Sequence, residues 1–142
     1  MIVGKDKTIP WVSKKLFARF NADEGLGLER AGEMVAGVIY EDWNGASFTC
    51  HIAIQGLLTP MYLAAIFHYP FVHCGAKKII APVAQSNEES VRFVKKLGFR
   101  EEARILDAHP DGSVLVYTMT PDQCRFIGAR YGQRLTFAAA ST

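Results

Sequence analysis

Apolar and polar positions change their spacing several times along the chain. Near the N-terminus Trp11, Leu16, Phe17 and Phe20 recur at roughly helical intervals with Ser13, Lys14, Lys15 and Arg19 between them, which predicts a short amphipathic helix within residues 1–20. Residues Gly32 to Tyr40 are rich in β-branched and aromatic types, and Asn44-Gly45 then supplies a turn signal, so a hairpin is expected. Its second arm, Ser47 to Gln55, alternates: Phe48, Cys50, Ile52 and Ile54 share one face, and Thr49, His51, Ala53 and Gln55 share the other. Thr59-Pro60 reads as an N-cap followed by proline at the first helical position, where its missing N–H costs nothing. The helix it opens, Met61 to about His68, is almost wholly apolar and should be buried on most sides. Pro70 must end or kink it, and Gly75 is the expected stop.

Lys77 to Val83 predicts a short buried strand, in which Pro82 implies an edge left unpaired near its end. Ser86 or Asn87 can cap a second helix with Val91, Val94 and Leu97 on its core face and Phe93 alongside. Glu88 and Glu89 suit the positive end of its dipole, and Gly98 stops it. Two more strands, Phe99 to Leu106 and Val114 to Met119, join at a turn around Pro110-Asp111-Gly112. This order implies an α/β fold, a mixed sheet covered by helices, in one domain spanning 1–142. Residues 137–142 lack periodicity and charge and are expected to fray.

Composition narrows the classes. The 142 residues, 49% hydrophobic and 21% charged, suffice for one core without disulfides or a structural metal. A net charge of +2 gives no overall electrostatic drive toward nucleic acid. One local strip remains, Arg92, Lys95 and Lys96, either a solvated helix face or the contact for a phosphate-bearing ligand. Cys50, Cys74 and Cys124 are an odd number at wide spacings, with no Cys-x-x-Cys pair, which predicts reduced thiols in a cytoplasm and no metal site. The N-terminus lacks the apolar core of a secretory signal, and no stretch nears the roughly 18 apolar residues that span a bilayer, so no membrane partner is expected.

The run from Ser86 to Arg100, SNEESVRFVKKLGFR, closely resembles the fourth helix of GNAT N-acyltransferases. The shared features are an asparagine at the helix start, a small residue three positions on and a Leu-Gly-Phe exit. The surrounding elements follow that family's order across roughly residues 30 to 120. A narrower resemblance is carried by Tyr69-Pro70-Phe71 followed by Gly75, by Ala108-His109-Pro110-Asp111-Gly112, and by Met119 followed by Gln123-Cys124-Arg125-Phe126. It points to a group of phage-borne GNAT proteins, with the DNA-modifying Mom protein of Mu-type phages a more distant relation.

The resemblance implies a GNAT-like mixed, mostly antiparallel sheet with a central splayed parallel strand pair flanked by helices. Acetyl-CoA enters the gap as co-substrate and pairs with the strand Ser47 to Gln55 through backbone groups of Ile52, Ala53 and Ile54. Its pyrophosphate would meet the loop Gln55-Gly56 and the helix tip, where the Thr59 hydroxyl and the Met61 and Tyr62 amides are the available donors. Asn87, Ser90 and Phe93 would face it from the later helix, Asn87 serving as cap and ligand together. The chain departs from the family twice. A glycine-rich phosphate loop is reduced to the single Gly56, and Val94 stands where many members carry an acidic tyrosine.

Acyl transfer to an amine needs a base for the amine and an acid for the leaving thiolate. His51, on the polar face of the proposed ligand-binding strand, is the candidate base, with a hydrogen-bonded structural histidine as the plain alternative. Tyr69, turned out of helical packing by Pro70, is either the acid or a core tyrosine. Asp107, like Asp111, flanks the last turn and could orient an amine or receive a proton. Glu41 and Asp42 are expected to be solvated, and Cys50 to be inert in the core. The leading reading is therefore an acetyl-CoA-dependent N-acyltransferase acting on a protein, small-molecule or nucleobase amine. The alternative is a binding protein that kept the fold and lost the reaction. A homodimer through the segment 121–137 is a further candidate assembly.

Overall fold

A computed structural model describes residues 1–128; the expected tail 137–142 and most of the segment proposed for dimerisation lie outside the described residues. The strands are β1 (Ile2–Val3), β2 (Glu24–Arg30), β3 (Glu33–Glu41), β4 (Ser47–Ile54), β5 (Lys78–Ala84), β6 (Arg100–His109) and β7 (Gly112–Met119). They form one sheet in the order β1-β2-β3-β4-β5-β7-β6. Only β4 and β5 run parallel, and the other neighbours are antiparallel.

Alternation along the strands assigns the helices to faces. Phe48 and Cys50 of β4, Ile79 and Ala81 of β5, and Leu115, Tyr117 and Met119 of β7 share one core with α2 (Pro60–His68) and α3 (Glu88–Leu97). Ile39 and Ala53, of opposite parity, pack with Val12 of α1 (Lys5–Lys15) on the other face. The contact with α1 is close: a Cβ at Gly37 would lie 2.6 Å from Val12 Cγ2.

The first helix starts and stops earlier than its apolar spacing predicts. Leu16 caps it, Phe17 takes the left-handed φ of 54°, and the Ala18 amide donates back to Ser13 O, which is a Schellman closure with phenylalanine where glycine is usual. Leu16 and Phe20 still pack on the Val12 cluster, whereas Phe17 turns to solvent and is 96% exposed.

Pro70 acts as a kink. It cannot donate to Ile66 O one turn back, and the buried Tyr40 hydroxyl takes that carbonyl instead. The chain then widens into a π-helical turn, Tyr69–His73, closed by Cys74 N–H to Tyr69 O at 3.0 Å. Asn87 caps α3 by accepting the Ser90 amide at 3.2 Å, and Gly98 ends it in the left-handed conformation at φ 108°. No helix among the described residues is long and apolar enough to cross a membrane.

Candidate functional site: the cleft between two parallel strands

The strands β4 and β5 are joined at one end only, through Ser47↔Lys78, Phe48↔Ile79 and Thr49↔Ile80. Which backbone groups face the gap beyond that point follows from their outer partners. Gln55 N–H donates to Val35 O at 2.7 Å, so residues 35 and 55 form a hydrogen-bonded pair on the β3 side. The β3–β4 register holds without a shift, and antiparallel pairs alternate, so Ala53 and His51 also bond to β3 while Ile54, Ile52 and Cys50 turn their N–H and C=O toward β5. This corrects the expectation for Ala53. Its side chain lines the cleft, but its backbone is spent on Gly37.

The same argument applies to β5. Gln85 N–H donates to Ser113 O, so Val83 and Ala81 bond to β7, and Ala84 and Pro82 face the gap. Pro82 is therefore the first gap-facing residue after Ile80, and it has no N–H to offer. The proline costs no ladder bond there and withholds the donor that would continue the β4–β5 zipper. The unpaired edge expected from sequence is this one.

The resulting cleft holds about 530 Å³ and runs between the two faces of the sheet. Asn87, Ser90 and Phe93 of α3 border it on one side; Lys15, Leu16, Ala18 and Phe20 border it on the α1 side. His51 stands at the α1-side mouth. Its Nε2 is 2.6 Å from Glu41 Oε1, and Phe20 lies over its ring with centroids 4.2 Å apart. Both side chains of the pair are about 15% exposed, His51 at 14% and Glu41 at 15%. Glu41 is thus held against His51 instead of being solvated, contrary to the sequence reading. With Nε2–H donated to the carboxylate, the Nδ1 lone pair is left to take a proton.

Of the residues expected at the site, His51, Ile52, Ala53, Ile54, Asn87, Ser90 and Phe93 line this cleft. Gln55, Gly56, Thr59, Met61, Tyr62, Tyr69 and Asp107 do not. The expected phosphate donors at α2 are largely committed. Gln55 and Gly56 amides both donate to Val35 O, and the Tyr62 amide donates to the capping Thr59 hydroxyl oxygen at 3.1 Å. With Pro60 lacking N–H, Met61 is the first-turn amide outside these bonds. The Tyr62 side chain is buried, and its hydroxyl donates to Leu26 O.

Tyr69 packs edge-on against Tyr40, on the face away from His51, and burial together with the neighbouring Cys74 thiol pushes its hydroxyl up to about 12. Asp107 is exposed on β6, at φ 57°, in the stretch where β6 loses register with β7. Cys50 does line the cleft wall, but burial pushes its thiol up to about 12, so it stays protonated.

Sequence reasoning missed Glu41, Glu89 and His109, which the fold brings to the cleft or to its histidine. A signal for Glu41 existed. Pairing the hairpin through Asn44-Gly45 sets Glu41 opposite Thr49, diagonal to His51 and on the same face. His109, whose Nδ1 accepts the Asp111 amide at 3.1 Å, reaches the cleft because β7 pairs beside β5 and brings the β6–β7 turn to the end of β5, which no local pattern reveals.

No protein-family model matches the chain, and no curated protein matches it significantly. Solved structures do. A variant of the spermidine N-acetyltransferase SpeG from Vibrio cholerae superposes with a TM-score of 0.63 at 20% identity, over 78% of this chain and 69% of that one. Mutant forms of the spermidine/spermine N-acetyltransferase SpeG from the same organism give 0.61 at 21% identity, over 80% and 69%. A SpeG chimera with hSSAT gives 0.60 at 20% identity, over 70% and 68%. The fold is GNAT-like: a mixed, mostly antiparallel sheet with one parallel pair and flanking helices.

Proposed function

We propose that this chain transfers an acyl group from acetyl-CoA to an amine. The observation that carries the reading is the half-open β4–β5 pair, with Ile52 and Ile54 backbone groups bare on one wall and a carboxylate-held histidine at the far mouth. The pantetheine arm would add as a short strand along Ile52 and Ile54, as peptides add to sheet edges. Asn87, whose amide NH2 is free of the cap, and Ser90 would hold it from α3.

The amine would enter from the α1 side. His51 Nδ1 takes its proton as the nitrogen bonds to the thioester carbon, the carbon–sulfur bond breaks, and the same proton balances the departing thiolate. Glu41 holds the ring and steadies the imidazolium. Protein, small-molecule and nucleobase amines all remain acceptors to be offered. The spermidine of the structural neighbours is one, and a nucleobase answers the narrower sequence resemblance. Three free cysteines, Cys50, Cys74 and Cys124, suit a reducing cytoplasm.

The committed amides at α2 and the buried Val94 favour a second reading, a fold that binds without turning over. Calorimetry with acetyl-CoA, followed by thiol release with a panel of amines, separates the two. Saturable heat with amine-dependent thiol release is expected. Heat without release would leave the binding protein, and no heat at millimolar ligand would end the acyl-transfer reading.

A further inference from the structure

A second recess, of about 350 Å³, lies on the opposite face of α3 from the cleft and shares no lining residue with it. Helical spacing explains the separation: Asn87, Ser90 and Phe93 share one face of α3, and Glu88, Arg92 and Lys95 share the other. The floor of the recess is Tyr117 of β7. It is 1% exposed, and its hydroxyl is the one buried side-chain polar atom among the described residues without a hydrogen-bond partner. A buried hydroxyl in that condition calls for an explanation, and a ligand acceptor is one.

The rim supplies the sign of that ligand. Arg92 and Lys95 are exposed and make no ion pair among the described residues, and Arg104 leans over from β6, tied to Glu101 at 3.2 Å. Three cations face two carboxylates, Glu88 and Glu101, so the recess carries a positive excess. We propose that this recess binds a phosphate group, with the Tyr117 hydroxyl donating to it from below and Arg92 and Lys95 from above. A tetrahedral anion has enough oxygens to accept from all three directions at once, and guanidinium and ammonium groups are its usual partners. The volume leaves room for a small ester beyond the phosphate. The basic strip that the sequence left between solvated face and phosphate contact is thereby divided, Arg92 and Lys95 lining the recess without Lys96.

The test is an amide NMR titration with inorganic phosphate against chloride at matched ionic strength, on the whole chain and on Tyr117→Phe and Arg92→Gln. Saturable shifts around Arg92, Lys95 and Tyr117 are expected, weakened by about tenfold in either variant. In phosphate-free buffer Tyr117→Phe should melt no lower than the parent, because it removes a hydroxyl that bonds to nothing. Three results would overturn the proposal: no saturable shift at millimolar phosphate, unchanged affinity in Tyr117→Phe, or a clear loss of its stability without phosphate, which would mean that water already satisfies the hydroxyl. Competition between phosphate and acetyl-CoA would also overturn it, by making the recess part of the cleft.

Discussion

From Ser47 to Thr49, β4 is paired with Lys78–Ile80 of β5; from Cys50 to Ile54 the same strand has no partner on that side. The two halves share an extended backbone and an apolar alternation, and β3 pairs with the strand from Thr49 through the open half to Ile54. They differ in what β5 presents. Ile80 offers a donor and Pro82 does not, so the ladder stops where the proline begins. The unpaired groups face a solvent-sized cleft and can be hydrated, which makes the opening cheap in stability and leaves the groups ready for a ligand. The closed half ties β4 to β5, and the open half is where the proposed function places its ligand.

The comparison is most strongly tested at the mouth of the open half. Under the proposed function His51→Ala should lower turnover by about a hundredfold or more while leaving acetyl-CoA affinity near the parent value, since a positioned base would contribute at least that much and the proposal puts His51 beside the amine. Glu41→Gln should cost about tenfold in kcat with KM for acetyl-CoA unchanged, a split that mere destabilisation would not produce. A fall in binding in place of rate would assign the pair a structural role.

Filling the open half should act on binding instead. Ser90→Trp puts a large ring into the cleft from α3 while keeping the backbone amide that Asn87 caps, so acetyl-CoA affinity should drop about a hundredfold with little change in melting temperature. Unchanged calorimetry would show that the ligand lies elsewhere.

The smallest effect concerns the dry wall behind both halves. Burial raises the Cys50 thiol from its ordinary 9.0 to about 12 and the Tyr69 hydroxyl from 10.0 to about 12. Below about pH 9 both states hold these protons and the stabilisation is complete. Above it the unfolded chain loses protons that the folded chain keeps, so stability falls as pH rises toward 12. Urea unfolding from about pH 7 to about pH 11 should show that decline, and Cys50→Ala should make it shallower. A flat profile would mean that solvent reaches this wall.

Much of this arrangement was legible. The Asn87 cap, the Gly98 stop, the hairpin at Asn44-Gly45 and the unpaired edge at Pro82 each follow from one or two residues acting locally. β2 was not, because its sequence EGLGLER hides the alternation. Gly25 and Gly27 occupy the face on which Thr8 of α1 packs closely, so only Leu26 and Leu28, on the opposite face, carry an apolar signal, and two residues are too few to mark a strand. The helical segment was misjudged because Leu16 and Phe20 reach its cluster from beyond the helix end. The state of the α2 tip was also out of reach. Whether the amides of Gln55 and Gly56 are free depends on Val35 O, twenty residues earlier in Gln55's case, and no motif encodes that contact.

Amide hydrogen exchange along β4, with and without acetyl-CoA, tests the central claim most directly. The Ile52 and Ile54 amides should exchange much faster than that of Phe48 in the free protein and slow markedly when acetyl-CoA is added, while Ala53 stays protected throughout. Protection of Ile52 and Ile54 equal to that of Phe48 without ligand, or exchange that saturating acetyl-CoA does not change, would contradict the account.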